Sequence, residues 1–321
     1  MRTDEAISRY TEYRRNLGEK FRVNEFILKN FANYVGQYKE LTDIQLEQCT
    51  AYLYGKSKKG SEITSYWFCI YTALNGLFQW ALNRGYLSRN PLPGDKPNKP
   101  LAFVPYIYSK DELNLLFINA LTYRKRFNIL YPESVRVILM IIYFLGLRPG
   151  ETVKLCLSDI HLEPDNYALI RESKFYKSRI VPFNSQVALL LKGYIQWRKK
   201  NYLPENPDSS LFITRKGEPV KLTAIQEAFR LICDKSNIHR NDGMKSDTRL
   251  QDLRHTFATD RVTSWYNEGK NVQDLLPVLS TYLGHCNLDS TAVYISFTNA
   301  LLREASNRFE SYKLSVTHGK S

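Results

Sequence analysis

The ten residues Leu250-Gln251-Asp252-Leu253-Arg254-His255-Thr256-Phe257-Ala258-Thr259 decide how this chain is read. Leu250, Leu253, Phe257 and Ala258 recur at helical spacing, which predicts a helix with an apolar face turned to a core. Gln251, Arg254 and His255 stand at i, i+3 and i+4, so they share a side of that helix. An amide, a guanidinium and an imidazole on one side could jointly face one anion. Gln251 can hydrogen-bond an oxygen but cannot shuttle a proton. His255 reads first as an imidazole that packs the helix, with proton transfer in place of Gln251 as the alternative.

Two further segments carry matching chemistry. Val135 to Leu147 is the strongest apolar stretch and reads as a buried helix ending at Gly146 and Pro149. Arg148, in Leu147-Arg148-Pro149-Gly150-Glu151, is thereby offered at the mouth of a core. A planar guanidinium donates paired hydrogen bonds to phosphate and stays charged at any working pH, although an isolated arginine here could simply cap the helix. Glu151, three residues on, reads either as a buttress for Arg148 or as a solvated carboxylate. Downstream, Leu283-Gly284-His285 is followed nine residues later by Tyr294. A phenol is a weak nucleophile at neutral pH and needs a nearby base or a strongly electropositive site.

Around these segments the chain organises itself in two parts. Asn90 to Pro105 holds five of the thirteen prolines and breaks every helical or strand period, so residues 91–105 read as a linker. Residues 1–90 read as a small all-α bundle. Its apolar positions are Ile27, Phe31, Tyr34 and Tyr38, then Ile63, Tyr66, Trp67, Ile70, Leu74, Leu77, Phe78 and Ala81. Thr42 and Gln45 have capping-box spacing, and Lys56, Lys58 and Lys59 crowd a loop that is a weak candidate for DNA-backbone contact.

Residues 106–312 form the larger domain, with a polar tail at 313–321. Ser109 with Glu112 reads as a capped helix start. Ile160 to Leu162, Tyr167 to Arg171 and Ser178 to Pro182 read as three short antiparallel strands, with Lys174 and Lys177 in the second turn and Arg179 just after it. The fold class is therefore mainly α with one small three-stranded sheet.

Bulk properties narrow the partner. A formal net charge of +13 and a pI near 9.4 favour a polyanion, either nucleic acid or an anionic membrane surface. The first residues lack a signal-type apolar region and Val135 to Leu147 is too short to span a bilayer, so no membrane partner is expected. The five cysteines, Cys49, Cys69, Cys156, Cys233 and Cys286, are scattered and fit a reducing intracellular compartment. Cys286 beside His285 reads as a small residue in a turn rather than a redox switch. Neither a metal nor any other cofactor is expected.

Arg148, Arg254, His285 and Tyr294, in these strings, resemble the pattern of the tyrosine recombinase (phage integrase) family, and the resemblance runs along almost the whole chain. It implies a helical core-binding domain of SAM-like type over residues 1–90 and a mixed α/β catalytic domain over 106–312. It implies site-specific recombination of double-stranded DNA through a 3′-phosphotyrosyl link, with Tyr294 as nucleophile, Arg148 and Arg254 as phosphate clamp, and His285 on the same phosphate. Lys174 matches the turn where the family places a catalytic lysine, with Lys177 and Arg179 as its rivals. Gln251 stands where the family most often has His, and Trp265 to Val272 reads as an insertion relative to simple members. The amphipathic positions Leu301, Leu302, Ala305 and Phe309 match a terminal helix that docks on a neighbouring subunit, implying a homo-oligomer, a tetramer in the synapse, in the cytoplasm and on the nucleoid. Integration or excision of a mobile element, resolution of multimers, type IB topoisomerase-like relaxation and a weakly catalytic DNA-binding accessory role all remain open at this point, as do partner recombinases and accessory proteins.

Overall fold

The structure, a computed structural model, describes residues 1–59, 62–100, 104–123, 129–171, 178–243, 247–285 and 290–295. The chain divides into two compact units, Met1–Val104 and Pro105–Ser321.

The first unit packs α1 (Thr3–Asn16), α2 (Arg22–Val35), α3 (Leu46–Ser57) and α4 (Ser65–Asn83). α4 is apolar on several sides because it is the central element: Trp67, Ile70, Leu74, Leu77 and Phe78 are all fully buried. Two expectations change here. α2 stops at Gly36, whose φ of +100° ends the helix, so Tyr38 lies beyond it and is 65% exposed rather than part of the apolar stripe. No box forms at Thr42. Leu41–Asp43 is a single 3-10 turn that lets both Leu41 and Ile44 reach the core, and the Gln45 N–H donates to Gln48 Oε1 just before α3 begins. A short ribbon, β1 (Lys58–Lys59) with β2 (Glu62–Ile63), joins α3 to α4. The side chains of Lys58 and Lys59 lie outside the described residues.

The second unit begins with α5 (Lys110–Asn119), closed by the Ser109–Glu112 capping box. α6 (Pro132–Phe144) starts on a proline, whose fixed φ suits a first helical position, and buries Val135, Ile138, Leu139, Ile141 and Ile142. It is the hub of the unit, touching α5, α7 (Pro149–Thr152), α8 (Ser185–Lys200) and α10 (Asp252–Asn267). β3 (Ile160–His161), β4 (Tyr167–Ile170) and β5 (Arg179–Pro182) form one antiparallel sheet in chain order, with Ala168 opposite Val181. α9 (Leu222–Lys235) and α11 (Val272–Leu283) complete the described helices, and residues 290–295 are helical. Trp265 to Asn267 finish α10, and a turn at Gly269, with φ +67°, leads into α11. Among the described residues no helix is long and apolar enough to cross a membrane.

α10 is more buried than a one-faced helix would be. Besides Leu253, Phe257 and Ala258 it buries Asp252, Arg254, Thr256 and Thr259, because α6 and α11 both pack on it. The side carrying Arg254 is thus an interior surface.

Gly146 is where α6 turns toward Arg148. Its φ is +58°, and a Cβ there would lie 2.4 Å from Phe257 Cδ1 on α10. Gly146→Ala should therefore cost roughly 2–4 kcal/mol from backbone strain and overpacking together. Urea unfolding of the variant measures this, and an unchanged midpoint would refute the close packing of this corner.

Candidate active site

The last turn of α11 organises the site. Gly284 closes that helix in the left-handed region (φ +68°), and the His285 N–H donates back to Ser280 O, so the backbone itself aims His285. The final carbonyls of a helix lack intrahelical partners and form the negative end of its dipole. Here three consecutive ones accept from three different arginines. Arg179 Nε donates to Tyr282 O at 3.0 Å, Arg254 Nη2 to Leu283 O at 2.7 Å, and Arg148 Nη2 to Gly284 O at 2.7 Å. Arg254 Nη1 also donates to Gly146 O at 2.8 Å. A Cβ at Gly284 would sit 2.9 Å from Arg179 Nη1, so a larger residue at this left-handed position would push on the guanidinium that lies against the turn.

Glu151 links two of these arginines. Its Oε1 accepts from Arg148 Nη1 at 2.7 Å and from Arg179 Nη1 at 3.0 Å, while its Oε2 accepts from Arg179 Nη2 at 2.8 Å and from the Arg148 N–H at 3.1 Å. Burial would raise the pKa of this carboxyl, but hydrogen bonds and charge from Arg179 and Arg148 outweigh it and hold the pKa at about 2. Glu151 is a buttress for Arg148, not a solvated carboxylate. Arg179, a rival of Lys174 in the sequence, is engaged at both ends as the strut between β5, Glu151 and α11.

Among the described residues, Glu151 pairs with Arg148 and Arg179 while Arg254 is bonded only to carbonyls, so three guanidiniums face one carboxylate with positive charge in surplus. Arg254 bears most of the strain. It is 1% exposed, and burial, with the neighbouring charge of Arg148, pulls its pKa down to about 9. Such a cation is a ready receptor for an anion.

The phenol lies beside this cluster. Tyr294 is 1% exposed and packs in an apolar cluster with Phe257, Val262, Leu279 and Leu283. Its hydroxyl is 3.0 Å from His255 Nδ1. His285 instead stacks near the tyrosine ring (centroids 6.4 Å, 19° between planes), and its Nδ1 pairs with Thr291 Oγ1 at 2.7 Å. Burial, then the charges of Arg249 and Arg254, lower the His255 pKa to about 4. For His285, burial and the charges of Arg254 and Arg148 likewise give about 4. Both rings are neutral at pH 7. Burial raises the Tyr294 pKa, opposed by the positive charge of Arg254 and Arg148.

The structure thus brings Arg148, Arg254, His285 and Tyr294 together. Gln251 stands half-buried at the N-cap of α10, its carbonyl accepting from the N–H groups of Arg254 and His255. Lys174, Lys177 and Cys286 lie outside the described residues, as does the segment 301–309. His255, read first as a packing imidazole, lies against the Tyr294 hydroxyl, and neither Thr291 nor the strut role of Arg179 was foreseen. The alternation in β5 holds a signal for Arg179, since Arg179 and Val181 share the inward side while Ile180 is exposed.

A helical domain that gathers guanidiniums, imidazoles and one phenol at a single point has the equipment to transfer a phosphoryl group to the phenol. The chain belongs to the phage integrase family, whose family model matches residues 114–300. It is a tyrosine-recombinase-type DNA strand-transferase by that membership. It is 28% identical over 313 residues to a Sinorhizobium fredii protein bearing the name integrase/recombinase y4rB, covering 95% of this chain and 96% of the other. Tyrosine recombinase XerD of Staphylococcus saprophyticus is 26% identical over 271 residues, covering 82% and 81%. The fold matches the Tn1549 transposon integrase solved with a circular intermediate DNA, at a TM-score of 0.65 and 17% identity, covering 92% of this chain and 94% of that one.

Glu151→Ala would leave two partly buried guanidiniums without their carboxylate and should destabilise the protein by about 3–5 kcal/mol, read by urea unfolding. The folded pKa is depressed, so this contribution is complete above the ordinary carboxyl value of about 4.3. It is lost as pH falls through about 2. Equal stability of variant and parent at pH 7 would show that the ion cluster contributes nothing.

Proposed function

We propose that this chain cuts and rejoins double-stranded DNA through a 3′-phosphotyrosyl link on Tyr294, in integration or excision of a mobile element. The observation that carries this reading is the surplus positive charge around the buried Arg254, set beside a phenol whose hydroxyl touches an imidazole. A phosphodiester supplies the missing negative charge. Arg148 and Arg254 take its non-bridging oxygens and oppose the charge that builds as Tyr294 Oη attacks phosphorus. The P–O5′ bond breaks, and the Lys174 ammonium gives its proton to the leaving 5′-oxygen. A 5′-hydroxyl from a second strand then reverses the step, so the bond energy is kept. Because Tyr294 is buried, DNA binding has to present its hydroxyl to the phosphate.

The basic net charge provides the sequence-independent grip on the duplex, shared by the helical unit and the catalytic unit. Assembly on DNA is homo-oligomeric, as a tetramer in the synapse, with the segment carrying Leu301, Leu302, Ala305 and Phe309 docking on a neighbour. A groove of about 730 Å³ bordered by Phe144, Val187, Leu190, Trp265 and Val278 is a receiver of suitable character. Resolution of multimers is the second reading, with the same chemistry on a different substrate.

Incubation with a nicked cognate site in the presence of a chelator should trap a covalent protein–DNA adduct mapping to Tyr294. Tyr294→Phe should bind DNA as the parent does and form none. Arg148→Ala should slow adduct formation by about a hundredfold or more with little change in binding. An adduct that persists in Tyr294→Phe removes the reading.

A further inference from the structure

We propose that His255 is the general base of strand cleavage, receiving the phenolic proton of Tyr294 at Nδ1; this deepens the strand-transfer reading above and rests on it. The imidazole is in hydrogen-bond contact with the nucleophile, at 3.0 Å. In the tautomer with its proton on Nε2, Nδ1 is an acceptor pointed at the hydroxyl.

The other groups near the phenol are less suited. His285 Nδ1 is paired with Thr291, and the His285 ring lies alongside the tyrosine ring rather than at its oxygen. Gln251 precedes His255 by one helical turn and carries an amide, which cannot accept a proton at any working pH. Arg148 and Arg254 are donors only. His255 also lies on the same helix as Arg254, so one rigid element fixes both the base and part of the anion receptor.

The step balances as follows. Tyr294 Oη bonds to phosphorus, its proton passes to His255 Nδ1, the P–O5′ bond breaks, and the 5′-oxygen is protonated by Lys174. In rejoining, the His255 imidazolium returns that proton to the departing phenolate. The charged groups acting on His255 are Arg249 and Arg254, with His285 also within electrostatic reach; burial first, and then the two arginines, favour the neutral ring. A bound phosphodiester brings negative charge close to this ring and strengthens it as a base when the substrate is in place.

The test is single-turnover adduct formation on a nicked site carrying either the natural 5′-oxygen or a 5′-bridging sulfur, whose thiolate leaves without a proton. His255→Ala and His255→Asn should each slow the reaction by about a hundredfold while binding DNA as the parent does. Sulfur should not restore either variant, whereas it should restore Lys174→Ala. Fluorotyrosine at position 294, a more acidic phenol, should recover part of the loss in His255→Ala. A parent-like rate in both variants overturns the proposal, as does rescue by sulfur, which would make His255 the acid. A faster rate overturns it too, since the contact would then be a latch that holds the nucleophile back. If the parent forms no adduct at Tyr294, the functional reading itself fails, and that outcome is separate from any result at His255.

Discussion

The site hangs on three backbone carbonyls. Tyr282, Leu283 and Gly284 end α11, and each takes a hydrogen bond from an arginine on a different element: β5, α10 and the α6–α7 corner. These oxygens would otherwise be unpaired in a buried setting, and they carry the negative end of the helix dipole. Guanidinium is suited to them because it offers several donors in one plane and is more weakly hydrated than ammonium. One helix end thereby gathers three separate parts of the chain, around Arg148, Arg179 and Arg254. It also aims His285, the next residue, by the same turn.

This arrangement explains why the arginines are fixed yet not neutralised. Carbonyl dipoles orient a guanidinium without cancelling its charge, whereas a carboxylate does both. Arg254 is held by carbonyls of Gly146 and Leu283, and its charged form stays penalised by burial and by Arg148. Glu151 is spent mainly on Arg179 and on orienting Arg148. The result is a rigid receptor with charge to spare, which is what a preorganised oxyanion site requires. Had a second carboxylate faced Arg254, the geometry could be the same and the electrostatic demand for a phosphate would be gone.

Much of this was legible in the sequence, for identifiable reasons. The strands at 160–161, 167–170 and 179–182 and the helix at 132–144 follow from local pattern, because hairpin turns and a continuous apolar run are short-range signals. The capping box at Ser109 was readable for the same reason. Arg148, Arg254, His285 and Tyr294 could be named from their strings, but their convergence depends on the carbonyls of α11. A main-chain acceptor has no letter in the sequence. That is why Arg179 was seen only as a spare cation and why the second buried side of α10 went unnoticed. Tyr38 failed differently: its spacing from Tyr34 fits a helix, but Gly36 ends α2 between them.

Gln251 and His255 differ in what they can offer a proton at one end of α10. Both belong to the same turn of α10, and the carbonyl of Gln251 holds the N–H of His255. Residues four apart on a helix share a side, and of these two it is His255 whose Nδ1 lies 3.0 Å from its partner, the Tyr294 hydroxyl. The partner here is a hydroxyl in a pocket with surplus positive charge. A permanently charged group could not accept its proton, and an amide could only hold it. A neutral imidazole, favoured by burial and by the charges of Arg249 and Arg254, can do both: it adds no positive charge to the site and offers the hydroxyl an acceptor.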